Sequence, residues 1–384
     1  MYKDIIQFIQ NLYGTKDMIP LHAPFFMGNE KKFLDECMDS TYVSGVGKFV
    51  DRFEAMMEDY TGCKKAVACV NGTNALHLSL LLSGVERNDE VITQPLTFIA
   101  TCNAIIYAGA HPVFIDVDKD TMGLSPVAVD EWLSQNTYIE NLTCYNKKTG
   151  RRVKVCLPMH TFGHPVHLDG LMAVCDKYYL ELVEDAAESL GSFYKGKHTG
   201  TFGKIGIISF NGNKTITTGG GGMMLFNDEK LAKRAKHLTT QAKLPHRWDF
   251  IHDEIGYNYR LPNINAALGC AQMEYLDKIL AQKREIAMAY KKYFQAKKDI
   301  VYVDEPDNCQ SNFWLNTILF SGREGRDLFL KYSNDHHVMT RPAWTLMNRL
   351  PMFALAQCGS LDNAISIEGR IVNLPSSANR YNET

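Results

Sequence analysis

The 384-residue chain carries little net charge: 41 lysine and arginine residues stand against 43 aspartate and glutamate residues, and the formal net charge is −2. Proteins that bind nucleic acids usually present a broad basic surface, so this composition predicts no nucleic-acid partner. The densest basic run is KKTGRRVK (147–154). We interpret this run as a solvated hairpin or loop.

Long apolar runs are also absent. The longest, LHLSLLLSGV (76–85), has about half of the roughly 20 residues that a membrane-spanning helix needs. The segment MYKDIIQFIQNLYG (1–14) interleaves charged and apolar residues and shows neither a basic leader nor a cleavage site. It predicts an amphipathic helix, and we expect a soluble, cytoplasmic protein that does not associate with membranes.

The ten cysteines are scattered and include no CxxC pair. This pattern predicts reduced, buried cysteines rather than disulfides. His160, His164 and His167 form one close group, but no cysteine or acidic triad accompanies them. We therefore expect no metal site.

Between about residue 60 and residue 240, strand-like apolar runs alternate with helical patterns. The strand-like runs are AVACV, EVITQ, PVFIDV, VKVCLPM, LELVED and IGIISF. Such alternation predicts an α/β fold with a mostly parallel sheet covered by helices on both faces. Ligands of such sheets bind beyond the carboxyl ends of the strands. The residues expected there are Thr97, Phe98, His160, Asp185 and Ser209.

The chain is longer than the size at which a single core usually divides, so two domains are expected. A long helical stretch (263–296) precedes the strand-like run FWLNTILF (313–320). We predict a large cofactor-binding domain over residues 1–255, with a helical segment at its amino end. Residues 256–384 are predicted to form a connector helix and a small carboxyl-terminal domain.

One lysine lies four residues beyond the end of a strand-like run. Lys214 comes after IGIISF and before four consecutive glycines. A lysine held at the end of a buried strand can form a Schiff base with a carbonyl. A second strand-like run ends in Glu184 and Asp185. Pyridoxal phosphate needs this pair, because the amine holds its aldehyde while a carboxylate, here Asp185, keeps the pyridinium nitrogen protonated.

A phosphate cradle is predicted at VNGTNALHLSLLLSG (70–84), where Gly72 and Thr73 precede a helical pattern. The amino end of a helix offers free N–H groups to phosphate, and Ser209 could add a hydroxyl. Each feature alone has an ordinary explanation, such as a turn, a helix cap or a solvated lysine. Their joint order along the chain favours a cofactor site.

The same features resemble the nucleotide-sugar aminotransferases of the DegT/DnrJ type, which are fold-type I pyridoxal phosphate enzymes. The segments that carry the resemblance are STYVSGVGKFVDRFE (40–54), NGTNALHLSL (71–80), DEVITQPLTFIAT (89–101), PVFIDVD (112–118), VEDAAESLG (183–191), SFNGNKTITTGGGG (209–222) and GYNYRLPNINAALG (256–269). The resemblance implies a mostly parallel central sheet flanked by helices and a smaller carboxyl-terminal α/β domain. It also implies pyridoxal 5'-phosphate as the cofactor.

The resemblance implies roles for individual residues. Lys214 would form the Schiff base, Asp185 would meet the pyridine nitrogen, and Phe98 would stack on the ring, although Phe98 could instead be a core aromatic. The residues implied to bind the phosphate are Gly72, Thr73, Ser209 and, from a second subunit, Asn258. The active enzyme would then be a homodimer with shared sites. Glu188 would reach the phenolic oxygen; its alternative role is an exposed carboxylate in the first turn of a helix.

Residues 29–54, the SFNGNK motif and residues 341–353 are similar to the branch that acts in legionaminic acid and bacillosamine pathways. This similarity implies transfer of an amine from glutamate to C4 of UDP-2-acetamido-4-keto-2,6-dideoxyglucose, for cell-surface glycan or nonulosonic acid biosynthesis. The residues considered for substrate contact are Tyr42, Ser44, His160, Arg341 and Trp344.

Three alternatives remain open. The first is an aminotransferase that acts on a GDP- or dTDP-linked keto sugar. The second is a dehydratase, in which a histidine would replace Lys214. The third is a non-catalytic ligand-binding or regulatory protein, which would be expected to lose Lys214, Asp185 or the phosphate turn. The chain retains all three features.

Overall fold

The computed structural model describes residues 1–378. Over these residues the α-helices are α1 (Tyr2–Tyr13), α2 (Glu30–Asp39), α3 (Lys48–Thr61), α4 (Gly72–Leu82), α5 (Ile99–Tyr107), α6 (Pro126–Asn136), α7 (Leu168–Tyr178), α8 (Glu229–Thr239), α9 (Asn263–Met273), α10 (Leu276–Phe294), α11 (Arg323–Asp335) and α12 (Asp362–Glu368). The strands are β1 (Lys65–Cys69), β2 (Glu90–Thr93), β3 (His111–Phe114), β4 (Thr137–Glu140), β5 (Thr143–Asn146), β6 (Val153–Leu157), β7 (Glu181–Asp185), β8 (Phe193–Tyr194), β9 (Lys197–His198), β10 (Ile205–Ser209), β11 (Gly222–Phe226), β12 (Ile300–Tyr302), β13 (Cys309–Gln310), β14 (Asn316–Phe320) and β15 (Ile371–Leu374).

Seven strands form the central sheet, in the order β1, β11, β10, β7, β6, β2, β3. The neighbours from β10 to β3 are parallel, and β11 is antiparallel to both β1 and β10. Every residue of β2, β10 and β11 is buried, as expected for strands covered on both faces. The predicted α/β fold with a mostly parallel sheet is confirmed.

The strand β11 shows how the layers are built. Met223 and Leu225 belong to an apolar cluster with α2, α3 and α9, whereas Met224 and Phe226 belong to a cluster with α4, α5 and α8. Side chains of a strand alternate between the two faces of a sheet, so helices cover both faces. The parallel strands β7 and β10 end side by side, at Asp185 and Ser209, and this edge of the sheet holds the candidate site.

A smaller antiparallel sheet has the order β12, β14, β15. Helices α1, α10 and α11 pack on it in one apolar cluster that includes Ile5, Tyr290 and Phe329. The single helix predicted over 263–296 is in fact two, α9 and α10, with a break that sets the Tyr275 ring against Gly28. The predicted domain division between residues 255 and 256 remains a proposal.

Across residues 1–378, no helix combines the length and the apolar character that crossing a membrane would require.

Candidate active site

A cavity of about 290 Å³ lies at the carboxyl ends of β7 and β10. Its lining residues are Asn71, Gly72, Thr73, Leu76, Phe98, Ala100, Met159, Asp185, Ala187, Glu188, Ser209, Asn211, Asn213, Lys214, Trp314 and Trp344. Seven residues predicted from the sequence for cofactor chemistry are therefore together: Gly72, Thr73, Phe98, Asp185, Glu188, Ser209 and Lys214. The reason is geometric, because parallel strands present their carboxyl ends at one edge of the sheet.

Asp185 is the last residue of β7 and is 2% exposed. The Thr101 hydroxyl donates to Oδ2 (2.7 Å), and the Ala187 N–H donates to Oδ1 (3.2 Å). Burial raises the pKa of the Asp185 carboxyl, while these two donors and the Lys214 ammonium group oppose that shift. A cation placed against this carboxylate would stabilise its ionised form, which suits a partner for a pyridinium nitrogen.

Glu184, the neighbouring carboxylate, faces the other way. It accepts hydrogen bonds from the N–H groups of Gly200, Phe202 and Gly203, and it meets His160 Nε2 at 3.1 Å. Burial favours its neutral form, but His160 and the N–H donors outweigh burial and lower the pKa of Glu184. Adjacent strand residues point to opposite faces, so only one of the two carboxylates lines the cavity.

Lys214 and Glu188 meet inside the cavity. The distance between Lys214 Nζ and Glu188 Oε1 is 3.1 Å, and the lysine side chain is 13% exposed. The other carboxylate oxygen of Glu188, Oε2, accepts the Phe162 N–H (3.0 Å). Burial raises the pKa of Glu188 to about 7, although the Lys214 ammonium opposes the shift. The carboxyl therefore changes protonation near neutral pH.

The exposed first-turn alternative for Glu188 is wrong. The segment after β7 forms turns rather than a helix, and the Glu188 side chain is buried. The alternative interpretation of Phe98 as a core aromatic is also wrong, since Phe98 is 46% exposed and lines the cavity.

The predicted phosphate turn lies where α4 begins. Asn71, not Thr73, caps this helix, because its Oδ1 accepts the Asn74 N–H (2.8 Å). A Cβ on Gly72 would lie 3.1 Å from the Cβ of Ser209, so glycine is what allows the turn to approach the end of β10. A helix amino end next to a serine hydroxyl fits a phosphate group. Together with the lysine and the carboxylates, these donors fit pyridoxal phosphate.

The residues considered for substrate contact, unlike those predicted for the cofactor, do not all line the cavity. Trp344 lines the cavity, with its ring 6.2 Å from that of Phe98. Arg341 does not line it, and its guanidinium group donates instead to Asn334 Oδ1 and Thr340 O. His160 has no exposed surface, and both of its ring nitrogens have partners: Nε2 meets Glu184, and Nδ1 accepts the Val166 N–H. It is therefore not placed to touch a substrate.

Three further predicted residues also lie outside this cavity within one chain. Ser44 and Asn258 line another depression, which also includes Arg260 and Lys243, and Tyr42 is exposed nearby. The Asn258 backbone pairs with Thr240, and Asn258 is not among the residues that line the Lys214 cavity of the same chain.

The three histidines do not converge. His164 is buried against Phe313, and His167 Nε2 lies 2.9 Å from Asp120 and 4.0 Å from Asp118. That group of two carboxylates and one histidine is partly exposed, and such groups are common without a bound metal ion. The expectation of no metal stays a prediction.

Two residues of the site were missed from the sequence. Thr101, which contacts Asp185, lies in the matched segment DEVITQPLTFIAT. Trp314, whose ring centre lies 4.0 Å from Lys214 Nζ, lies in the strand-like run FWLNTILF, in a domain whose amide and aromatic residues are expected from the sequence to close over a sugar. The first could have been found from its helical spacing to Thr97, but no local signal links residue 314 to residue 214.

The cavity holds Lys214, the carboxylates of Asp185 and Glu188, and a phosphate turn. This is the site of a pyridoxal phosphate-dependent aminotransferase. Comparisons with known proteins agree. The model of the DegT/DnrJ/EryC1/StrS aminotransferase family matches residues 27–384, and the chain belongs to this family. It is thus a sugar aminotransferase of fold type I that uses pyridoxal phosphate.

Individual relatives cover nearly the whole chain. GDP-perosamine synthase of Escherichia coli O157:H7 is 37% identical over 95% of both chains, and GDP-perosamine synthase of Vibrio cholerae is 33% identical over 94% of both. Among solved structures, the aminotransferase TlmJ from Streptoalloteichus hindustanus superposes with a TM-score of 0.84 at 27% identity, over 94% of this chain and 93% of TlmJ.

Proposed function

We propose that this protein moves an amino group from glutamate to C4 of a GDP-linked 4-keto-6-deoxy sugar. The observation that carries the transfer chemistry is the 3.1 Å contact between Lys214 and Glu188, in the same cavity as Asp185. The preference for a GDP-linked sugar is supported by the relatives that are GDP-perosamine synthases.

The second candidate substrate is UDP-2-acetamido-4-keto-2,6-dideoxyglucose, on the legionaminic acid or bacillosamine branch. It is supported by the similarity of residues 29–54 and 341–353 to that branch. The relatives favour the GDP-linked sugar over it, so it stands second.

Pyridoxal phosphate, when bound, supplies an aldehyde and a ring that accepts electron density. Lys214 Nζ would hold the aldehyde and, as a free amine, would serve as the base for a proton at the donor's α-carbon. Glu188 Oε1 lies beside Nζ and can exchange a proton with it, since Phe162 fixes the carboxyl by its other oxygen. Asp185 would stabilise positive charge on the ring nitrogen.

The remaining contacts orient the cofactor. The amino end of α4 at Gly72 and Thr73, with the Ser209 hydroxyl, would bind the phosphate. Phe98 is exposed to the cavity and would stack on the ring. Trp344 and Phe98 then border the space in which the sugar must lie.

Asn258 completes the phosphate site from a second copy of the chain. Two observations support this role: Asn258 does not line the Lys214 cavity of its own subunit, and it is exposed beside Ser44 and Arg260. A homodimer with shared sites follows from this assignment, because neither subunit alone holds every phosphate contact.

The substrate test uses the purified enzyme loaded with pyridoxal phosphate. Glutamate should bleach the visible absorption band, and GDP-4-keto-6-deoxymannose should restore it with release of an amino sugar. Restoration by UDP-2-acetamido-4-keto-2,6-dideoxyglucose alone would transfer the assignment to the second candidate. If glutamate bleaches the band but neither sugar restores it, the aminotransferase activity is supported and both sugar substrates are rejected.

The shared site is tested by mixing two inactive variants, Lys214→Ala and Asn258→Ala. In a mixed dimer one site carries both substitutions and the other carries neither, so part of the activity should return. The returned fraction should reach about a quarter of the wild-type value, since random pairing makes half of the dimers mixed. No recovery after verified subunit exchange would rule out the shared site.

A further inference from the structure

Trp314 forms the second wall of the Lys214 site. The Lys214 Nζ atom lies 4.0 Å from the centre of the indole ring and 3.1 Å from Glu188 Oε1. The amine is therefore held between an aromatic face and a carboxyl group. An aromatic face attracts an ammonium group, and the attraction grows where water is excluded.

Two hydrogen bonds fix Trp314, one from the indole ring and one from the backbone. The indole Nε1–H donates to the Asn213 carbonyl (2.7 Å), and the backbone N–H of Trp314 donates to Asn312 Oδ1 (2.8 Å). Asn213 immediately precedes Lys214 in the chain. One side chain thus holds both the loop that carries the lysine and the amine at its end.

Asn312 joins the two walls. Its Nδ2 donates to the Glu188 carbonyl (2.9 Å) and approaches Thr215 Oγ1 (3.2 Å). Phe162, which holds Glu188 through its N–H, also stacks at 6.4 Å from the Trp314 ring. The carboxyl and the indole are therefore positioned by the same buried residues.

Charged groups surround the amine unevenly. Glu188 and Asp185 face it from the segment at the end of β7. The His22 ring lies 6.5 Å from the indole, and Lys283 Nζ meets the Trp314 carbonyl at 3.2 Å. Burial, followed by Lys283 and Lys214, holds the pKa of His22 well below its ordinary value, so His22 is neutral. Acidic groups and an aromatic face thus dominate the space around Nζ.

We propose that Trp314 is a positioning residue that receives the Lys214 amine whenever it is not bonded to the cofactor, with the indole face on one side and Glu188 on the other. The contact exists when Nζ is free and is given up when Nζ bonds to the cofactor aldehyde. Trp314 therefore stabilises the form of the enzyme in which the lysine has been displaced. This inference rests on the proposed role of Lys214.

The test compares two forms of the cofactor on the apoenzyme. Pyridoxal phosphate bonds to Lys214, whereas pyridoxamine phosphate fills the same site and leaves the lysine free. Trp314→Leu should leave the affinity for pyridoxamine phosphate unchanged and strengthen that for pyridoxal phosphate by roughly 2- to 30-fold, which is the cation–π range expressed as an equilibrium ratio. Trp314→Phe keeps an aromatic face and should shift the ratio less.

Trp344→Leu is the matched control, since Trp344 lines the same cavity but its ring contacts are with Phe98 and Phe162. Its ratio of affinities should equal that of the wild type. If Trp314→Leu weakens both cofactor forms equally, Trp314 only packs, and the inference is overturned. A ratio shifted towards pyridoxamine phosphate would overturn it as well.

The failure of this inference can be told apart from failure of the proposed function. If Lys214→Ala still forms the covalent absorption band, the assignment of Lys214 itself is wrong. If Lys214→Ala loses the band while Trp314→Leu keeps the wild-type ratio, only the role of Trp314 is rejected.

Discussion

Lys214 is partly buried and Lys283 is fully buried, and the two lysines have opposite surroundings. Lys214 opens onto the cavity and meets a carboxyl group, Glu188. Lys283 is 1% exposed, and its Nζ meets His22 Nε2 (3.0 Å) and the carbonyls of Ser376 (2.6 Å) and Trp314 (3.2 Å). Burial lowers the pKa of Lys283 to about 7.

The comparison shows that burial alone does not make a reactive lysine. Lys283 is more deeply buried, yet its Nζ donates to backbone carbonyls and joins α10 to the carboxyl-terminal segment. Lys214 combines partial burial with access, an acidic neighbour and an aromatic face. Both lysines contact Trp314, Lys214 on the ring and Lys283 on the backbone carbonyl.

The largest effect is expected from removing Lys214. Lys214→Ala should abolish the covalent absorption band and lower the transamination rate by about 10³-fold or more, since both the covalent link and the proton transfer are lost. Absorbance spectra and single-turnover rates with glutamate measure this. Lys283→Met is the control and should retain the band. Full activity in Lys214→Ala would show that another residue holds the cofactor.

A smaller effect is expected from changing the neighbour of Lys214. Glu188→Gln keeps an acceptor for the Phe162 N–H but cannot ionise. Because the pKa of Glu188 is about 7, the wild-type rate with glutamate should change across neutral pH. The variant should lose that inflection, with a rate change of about tenfold. Half-reaction rates between about pH 5.5 and 8.5 provide the measurement, and an unchanged inflection would assign it to another group.

The smallest effect on the catalytic rate is expected at Lys283, whose contribution appears in stability instead. Between about pH 7 and pH 10.5 the unfolded chain binds a proton at Lys283 that the folded protein does not. The free energy of unfolding should therefore rise with pH in this window, by at most about 1.4 kcal/mol per pH unit, and lose this contribution as pH falls towards 7. Lys283→Met should remove that slope in urea unfolding at pH 7, 8 and 9.

Lys278→Met is the matched control for this measurement, because Lys278 lies exposed on the same helix, α10. It should keep the wild-type slope. If Lys283→Met also keeps the slope, Lys283 is protonated in the folded protein, and burial does not lower its pKa.

Several site residues were predictable because their positions follow from local pattern. Asp185 and Ser209 end apolar runs, and Gly72 precedes a helical run, so the geometry of a parallel sheet brings them together. His160 also follows a strand, yet it turns to Glu184 and away from the cavity. A position at the end of a strand predicts which residues lie near one another, but it does not predict the direction in which a side chain points.

The amino-acid sequence alone determined the layered α/β fold and the lysine, carboxylate and phosphate turn of the cofactor site, because each of these depends on a short run of residues. Only the tertiary structure decided what surrounds Lys214. Trp314 lies in the segment before β14, and the N–H that fixes Glu188 belongs to Phe162. Contacts between residues so far apart in the chain arise from packing, and no local pattern records them.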